Sequence, residues 1–306
     1  MIHEIDPKKY NPDYISRKIC SEDYLLNYES DGILVKREGG IITLPRCSDY
    51  QEICGFASKG IIDSAYYLFE ISGEFYYEAT ELPQKIKDNL TFYRKLEELP
   101  PEEEGTDREY FYLRIHRFRE LDPVFMVFAG ATGYHIRNWR RVSTHCGCCG
   151  AATVPSETER AFVCTECGYT MYPHIAPAVI VAVTCGDRLL LVKNLHRPKN
   201  VRLELVSGYV EVGESFEHAV HREVFEEVGL KVKNVRFYKD QPWGIAGAHM
   251  IGYVAEVDGD DTVVRQEDEI SEAKWYSREE IPEYRNRLSV GSEMILMFKQ
   301  GKLKDH

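Results

Sequence analysis

No apolar stretch in the 306 residues approaches the roughly 18 needed to cross a bilayer as a helix. The opening run Met1-Ile2-His3-Glu4-Ile5-Asp6-Pro7 has no apolar core of the kind a secretory signal carries. These two absences predict a cytoplasmic chain with no membrane partner. Cations are also in deficit: 38 Lys and Arg stand against 50 Asp and Glu, a net charge of −12. That balance argues against sequence-independent nucleic-acid binding, which rests on Lys and Arg neutralising phosphates. It leaves room for a small anion held locally with metal ions. No internal repeat is visible. What remains, 43% hydrophobic and 29% charged residues, reads as globular, and the length predicts two or three domains.

Up to about residue 105 the chain looks rich in strands. Runs 33–36 and 41–44 flank Glu38-Gly39-Gly40, and runs 66–71 and 75–78 flank Ser72-Gly73-Glu74; both read as hairpins. The acidic, proline-rich segment 97–105 reads as a solvated loop. Run 110–115 suits one more strand. Asp122-Pro123 then opens a helix towards Arg141, with Asp122 as N-cap, although Gly130 and Gly133 weaken it. From 175 onward strands and helices alternate. Apolar runs 179–183 and 189–192 are separated by the turn Cys185-Gly186-Asp187.

Five of nine cysteines fall between Cys146 and Cys167. In a cytosolic chain, close spacing favours metal over disulfide. Cys146-Gly-Cys-Cys149-Gly and Cys164-Thr-Glu-Cys167-Gly are paired C-x-x-C-G units. Each can offer two thiolates, and the glycine after each pair suits a turn of positive φ. Cys146, Cys149, Cys164 and Cys167 therefore form a candidate closed, structural zinc site, one ion per chain, with Cys148 as a spare thiol. Cys20, Cys47, Cys54 and Cys185 read as small hydrophobes.

The segment Gly208-Tyr-Val-Glu-Val-Gly-Glu214 precedes Arg222-Glu-Val-Phe-Glu-Glu-Val-Gly-Leu230. Ser215 suits an N-cap. Phe216, Ala219, Val220, Val224 and Val228 recur at helical spacing as a buried stripe, and Gly229 suits the stop. Glu223, Glu226 and Glu227, at i, i+3 and i+4, share one face. Such a triplet repels itself and suits a hard divalent cation such as Mg²⁺ or Mn²⁺, with Arg222, and Glu214 reaching it, to orient the cluster. Taken alone, Glu-x-x-Glu-Glu fits a solvated acidic face better.

The whole pattern matches the Nudix box, G-x5-E-x7-R-E-U-x-E-E-x-G-U, at every fixed position. The chain is therefore identified as a member of the Nudix hydrolases. That resemblance implies an α/β fold, a C-terminal α/β/α sandwich, and metal-dependent cleavage of a nucleotide pyrophosphate. A zinc ribbon directly before the box resembles the NADH pyrophosphatase branch, from about Arg117 to the C-terminus. Tyr172-Pro173-His-Ile-Ala-Pro177, Ser207 to Glu211, Gln241-Pro242-Trp243 and Glu269-Ile-Ser-Glu272-Ala273-Lys-Trp275 carry the likeness. The expected division is a β-rich N-terminal domain (1–120), a linking helix (121–143), the ribbon (144–172) and the Nudix domain (173–306).

The resemblance implies a metal shell of the Ser207 carbonyl, Glu223, Glu227 and Glu269, with Glu226 as ligand or base. It implies substrate contacts at Glu159, Tyr172, Tyr209, Gln241, Pro242, Trp243, Ala248 and Gly291, and at Arg117 with Arg119 as its competitor. It implies a homodimer acting on a dinucleotide: NAD(H), cleaved to nicotinamide mononucleotide and AMP, and also NAD-capped RNA. One stretch departs from the branch pattern S-Q-P-W-P-F-P-x-S. Residues 240–248 keep only Gln-Pro-Trp, losing two prolines, a phenylalanine and a serine hydroxyl. The losses predict a more flexible loop and a weaker preference for NAD(H), which keeps ADP-ribose or another dinucleotide as an alternative substrate. A ribbon-bearing binding module with an inactive Nudix fold is the non-enzymatic alternative.

Overall fold

A computed structural model describes residues 1–79, 81–101, 108–195, 203–283 and 288–303. The 102–105 part of the expected acidic loop lies outside the described residues. Contacts divide the chain into two units: Ile2–His174 with Gly244–Ala246, and Ile175–Trp243 with Gly247–His306 and Met1.

In the first unit, Gly32–Glu38 pairs with Ile41–Thr43 across Gly39-Gly40, both with φ near +60 to +75° (57° and 74°). Such left-handed angles suit glycine in a tight hairpin. The second hairpin pairs Tyr66–Ile71 with Glu74–Glu78 around Ser72-Gly73, so Glu74 already belongs to the strand. The further strand is Glu109–Arg114, one residue earlier than expected. Helix α1 spans Val124–Val142, with Pro123 rather than Asp122 at its cap and no side-chain cap bond. Its two glycines are packing residues. A Cβ at Gly130 would lie 2.5 Å from the Phe118 ring, and one at Gly133 would lie 2.4 Å from the Tyr28 hydroxyl. That hydroxyl donates to the Gly130 carbonyl at 2.8 Å. Close approach to the sheet outweighs the roughly 1 kcal/mol helix penalty of each glycine. Three short strands, Thr153–Pro155, Phe162–Cys164 and Thr170–Met171, form the ribbon sheet. Cys47 and Cys54 are buried as expected, and burial pushes both thiols up to about 11. Cys20 is exposed, and so does not serve as a core residue.

The second unit is built on strands β1 (Ala176–Cys185), β2 (Arg188–Asn194), β3 (Val206–Tyr209), β4 (Val232–Trp243), β5 (Ala248–Val257) and β6 (Ile270–Ser277). The order is β4-β5-β1-β2-β6, with β3 pairing β1. Only the β1–β5 pair is parallel. Alternation along β1 sends Val179, Val181 and Val183 into one apolar cluster and Ala182 into the other. The first cluster takes α2 (Phe216–Val228) through Ala219, Val220, Val224 and Val228. The second takes α3 (Val290–Lys299) through Val290, Met294, Ile295 and Phe298. A sheet with a helix on each face is the α/β/α layering that the box implied.

Candidate metal centre and cysteine cluster

Helix α2 is fixed at both ends by its own sequence. The Ser215 hydroxyl accepts from the His218 N–H at 3.2 Å, and Gly229, at φ +70°, donates its N–H to the Phe225 carbonyl. Four residues of the expected stripe bury completely, whereas Phe216 is 43% exposed and stands outside it. The glutamates do not share one environment either. Glu227 is 4% exposed, and Glu223 is largely covered, while the Glu226 side chain is 52% exposed.

Arg222 organises the outer carboxylates. Its Nε and Nη2 donate to both oxygens of Glu214 at 2.8 Å, and Nη1 donates to Glu223 at 2.7 Å and Glu226 at 3.0 Å. Nη2 also donates to the Tyr209 carbonyl at 3.0 Å, tying the helix to the end of β3. Arg222 holds Glu214 down at about 2. Gly208 provides the floor: a Cβ there would fall 2.1 Å from the Glu223 carboxylate. Further in, burial first, then Glu269 and Glu223, push Glu227 up to about 8, against a hydrogen bond from the Ser207 N–H. Burial likewise raises Glu223. Among the described residues no Lys or Arg pairs with Glu227 or Glu269. A buried carboxylate beside two others without a cation fits a hard divalent ion, which reverses the sign of their mutual interaction. Among the described residues, only the four cysteines form a group with all its ligand atoms within 4.8 Å of one another; Glu223, Glu227 and Glu269 do not.

Those cysteines are Cys146, Cys149, Cys164 and Cys167. The sulfurs of Cys146 and Cys167 are 3.7 Å apart, and those of Cys149 and Cys164 are 3.4 Å apart. A tetrahedral zinc with bonds of about 2.3 Å would space its sulfurs by about 3.8 Å, so the cluster is the right size. Gly150 and Gly168 take the expected positive φ, 78° and 72°. The main-chain N–H groups of Cys167 and Glu166 bring the Cys164 thiol down to about 6, favouring thiolate. Cys148 is exposed and stands outside the cluster.

The expected substrate residues divide by environment. In the first unit, the Tyr172 hydroxyl donates to Glu159 at 3.1 Å on an exposed surface, and exposed Arg117 pairs with Glu120 at 2.8 Å. In the second unit, Tyr209 is 55% exposed at the end of β3. Pro242 is exposed, Trp243 half-buried and Ala248 buried. Gln241 is fully buried, with both ends of its amide engaged: Nε2 donates to the Leu288 carbonyl at 2.5 Å, and Oε1 accepts from the Val290 N–H at 2.8 Å. It braces the start of α3, one residue before Gly291, where a Cβ would meet Ile180 at 2.6 Å. At Gly244 the altered loop packs closely. A Cβ there would lie 2.4 Å from the Ala131 carbonyl oxygen, so glycine permits a close seat. Glu204, the one charged residue of Leu203-Glu204-Leu205-Val206, also raises Glu227, less than burial, Glu269 and Glu223 do.

A NUDIX domain is matched over residues 174–294. The NAD-capped RNA hydrolase NudC of Haemophilus influenzae is 38% identical over 200 residues, covering 64% of this chain and 74% of the relative. That of Mannheimia succiniciproducens is 39% identical over 204 residues, covering 64% and 75%. The chain belongs to the Nudix family, on the branch of these NudC relatives. A solved Nudix hydrolase from Nitrosomonas europaea overlays 51% of this chain and 91% of its own, at TM-score 0.44 and 18% identity. As a Nudix hydrolase the protein is a pyrophosphatase that uses a divalent metal, and the reading as an inactive binding module is set aside. Among the described residues no helix is long and apolar enough to cross a membrane.

Proposed function

We propose that this Nudix hydrolase cleaves the pyrophosphate of NAD(H) to nicotinamide mononucleotide and AMP, and acts likewise on NAD-capped RNA. The observation that carries the reading is the buried Glu227 flanked by Glu223 and Glu269 over the Gly208 floor, in a chain whose relatives bear the NAD-capped RNA hydrolase name. Glu223, Glu227, Glu269 and the Ser207 carbonyl would hold Mg²⁺ or Mn²⁺. When bound, the metal neutralises phosphate oxygens and lowers the pKa of its water. Glu226, exposed and held by Arg222 at 3.0 Å, would accept a proton from water. Tyr209 offers a face on which a base stacks, worth about 1–3 kcal/mol. Gln241 serves through the Leu288–Val290 turn that sets Gly291. Arg117, Glu159, Tyr172, Pro242, Trp243 and Ala248 are the remaining substrate contacts.

The four cysteines would hold one structural zinc per chain. Division into an N-terminal domain, helix, ribbon and Nudix domain, a cytoplasmic location and a homodimer complete the reading. The altered 244–248 segment favours one second reading, in which ADP-ribose or another dinucleotide is the better substrate. The test is product identification with NADH, NAD⁺, ADP-ribose, FAD and a diadenosine polyphosphate under Mg²⁺ or Mn²⁺. Release of AMP and nicotinamide mononucleotide from NADH supports the first reading. No NADH cleavage beside rapid turnover of another compound establishes the second.

A further inference from the structure

We propose that Arg265 is a positioning residue of the divalent-metal site, acting through Glu269 rather than on the metal; this rests on the metal reading above, in which Glu269 is a ligand. Glu269 belongs neither to α2 nor to β6, the strand it precedes, so its place depends on how the chain before it is held. That chain is first tied to the last turn of α2. The Val264 N–H donates to the Val228 carbonyl at 3.0 Å, and the Gln266 N–H donates to the Glu227 carbonyl at 2.9 Å. Both carbonyls are among those that a helix end leaves without an intrahelical partner. Gln266 passes the tie on: its own carbonyl accepts from the Glu269 N–H at 3.2 Å and the Ile270 N–H at 2.8 Å. One residue thus links the main chain of Glu227 to that of Glu269. Arg265 closes the same turn with its side chain. Nη1 donates to the Ile270 carbonyl at 3.2 Å and the Ser271 carbonyl at 2.5 Å, at the first two residues of β6, and Nη2 reaches Glu267 at 3.5 Å. The guanidinium therefore spans the turn from its entry at 265 to its exit at 270–271, with Glu269 between. Glu267 and Asp268 are exposed, so hydrogen bonds rather than burial of these residues hold the turn. On the exit side, β2 adds two more: the Leu195 N–H donates to the Glu269 carbonyl at 2.6 Å, and the Ser271 hydroxyl donates to the Lys193 carbonyl at 2.9 Å. A planar guanidinium can hold two carbonyls at once in a fixed geometry, which a lysine ammonium on a flexible stem does not reproduce. Position and charge predict opposite signs here. Losing a nearby cation strengthens the binding of another cation, whereas losing the strut that places a ligand weakens it.

The test is Mn²⁺ titration of the zinc-loaded, Mg²⁺-free full-length protein, followed by electron paramagnetic resonance of free Mn²⁺, with thermal unfolding in parallel. Arg265→Ala should weaken Mn²⁺ binding by about tenfold, and Arg265→Lys, which keeps the charge, should weaken it as well. In a Glu269→Gln background, Arg265→Ala should add no further loss, because the two residues act through one group. Unfolding of the metal-free protein checks that each variant is folded, and Arg265→Lys decides the matter if the alanine variant is not. Unchanged or tighter Mn²⁺ binding in Arg265→Ala, beside a clear loss in Glu269→Gln, would overturn the role of Arg265 and leave the metal reading standing. Losses that add in the double variant would overturn that role too. Wild-type affinity in Glu269→Gln, beside a loss in Glu227→Gln, would remove Glu269 from the site and this inference with it. Wild-type affinity in both would overturn the metal reading itself.

Discussion

Glu227→Gln should stabilise the metal-free protein while abolishing activity. The Glu227 carboxyl shifts from the ordinary 4.5 to about 8 in the folded chain, through burial and the charges of Glu269 and Glu223. At pH 7 the unfolded chain has released this proton and the folded chain has largely kept it. The folded state therefore binds the proton more tightly, and metal-free stability falls as pH rises from about 4.5, levelling off above about 8. Roughly 2.5 pH units separate the ordinary value from pH 7, and at about 1.4 kcal/mol per unit the cost is about 3 kcal/mol. Glutamine has nearly the same shape, still accepts from the Ser207 N–H and does not ionise. Its gain should be about 3 kcal/mol at pH 7, larger at pH 8 and under 1 kcal/mol at pH 5. At about 2–4 °C per kcal/mol, the neutral-pH shift is about 6–12 °C. Thermal unfolding of zinc-loaded protein at pH 5, 7 and 8, with and without Mg²⁺, reads all of this. Wild type should recover stability on adding Mg²⁺ and the variant should not. A variant no more stable than wild type at pH 8, or a gap independent of pH, would refute the reasoning.

Glu226→Gln should lower kcat by 10² or more while leaving zinc content and unfolding temperature unchanged, as measured by steady-state kinetics and elemental analysis. Cys164→Ser should lose zinc and destabilise the fold, because structural zinc binding is folding energy; Cys148→Ser should match wild type in both. Gly208→Ala should displace the Glu223 carboxylate and raise the Mg²⁺ concentration needed for half-maximal rate by about tenfold or more. Gly244→Ala should cost about 1–3 kcal/mol in a denaturant titration by crowding the Ala131 carbonyl. Gly244→Pro should for the same reason fail to sharpen NADH preference in kcat/KM.

Helix α2 and the box were legible because their signals are local. Ser215, the buried valine stripe and Gly229 specify α2 within fifteen positions or so of chain, by capping, periodicity and a left-handed stop. The paired C-x-x-C-G units are local too, and the four sulfurs meet as their spacing implies. What escaped depends on residues distant in sequence. Gly130 and Gly133 look like helix weaknesses until Phe118 and Tyr28 are seen against them. Gly244 looks like slack until the Ala131 carbonyl is seen above it. Gln241 looks like a free amide, yet both its ends are engaged about fifty residues later in the chain. The one-face reading of the glutamates was too coarse, because an i, i+3, i+4 triplet spans enough arc for Glu227 to be buried and Glu226 to be exposed.

That difference along the triplet also explains how a helix tolerates such a concentration of acid. Arg222 neutralises the outer part of the cluster, spending its donors on Glu214, Glu223 and Glu226. It does not reach Glu227, whose carboxylate faces Glu269 and Glu223 in a buried setting. Glu214 and Glu226 thus find their charge partner within the chain, whereas Glu223 is shared between Arg222 and the inner group. On the proposed metal reading, the inner group of Glu227, Glu269 and Glu223 is unfavourable until a cation binds. A second arginine would stabilise the metal-free fold but occupy the position the metal needs. On that reading the fold keeps an unfavourable charge arrangement where the metal would bind, and the stability gained in Glu227→Gln measures how large that arrangement is.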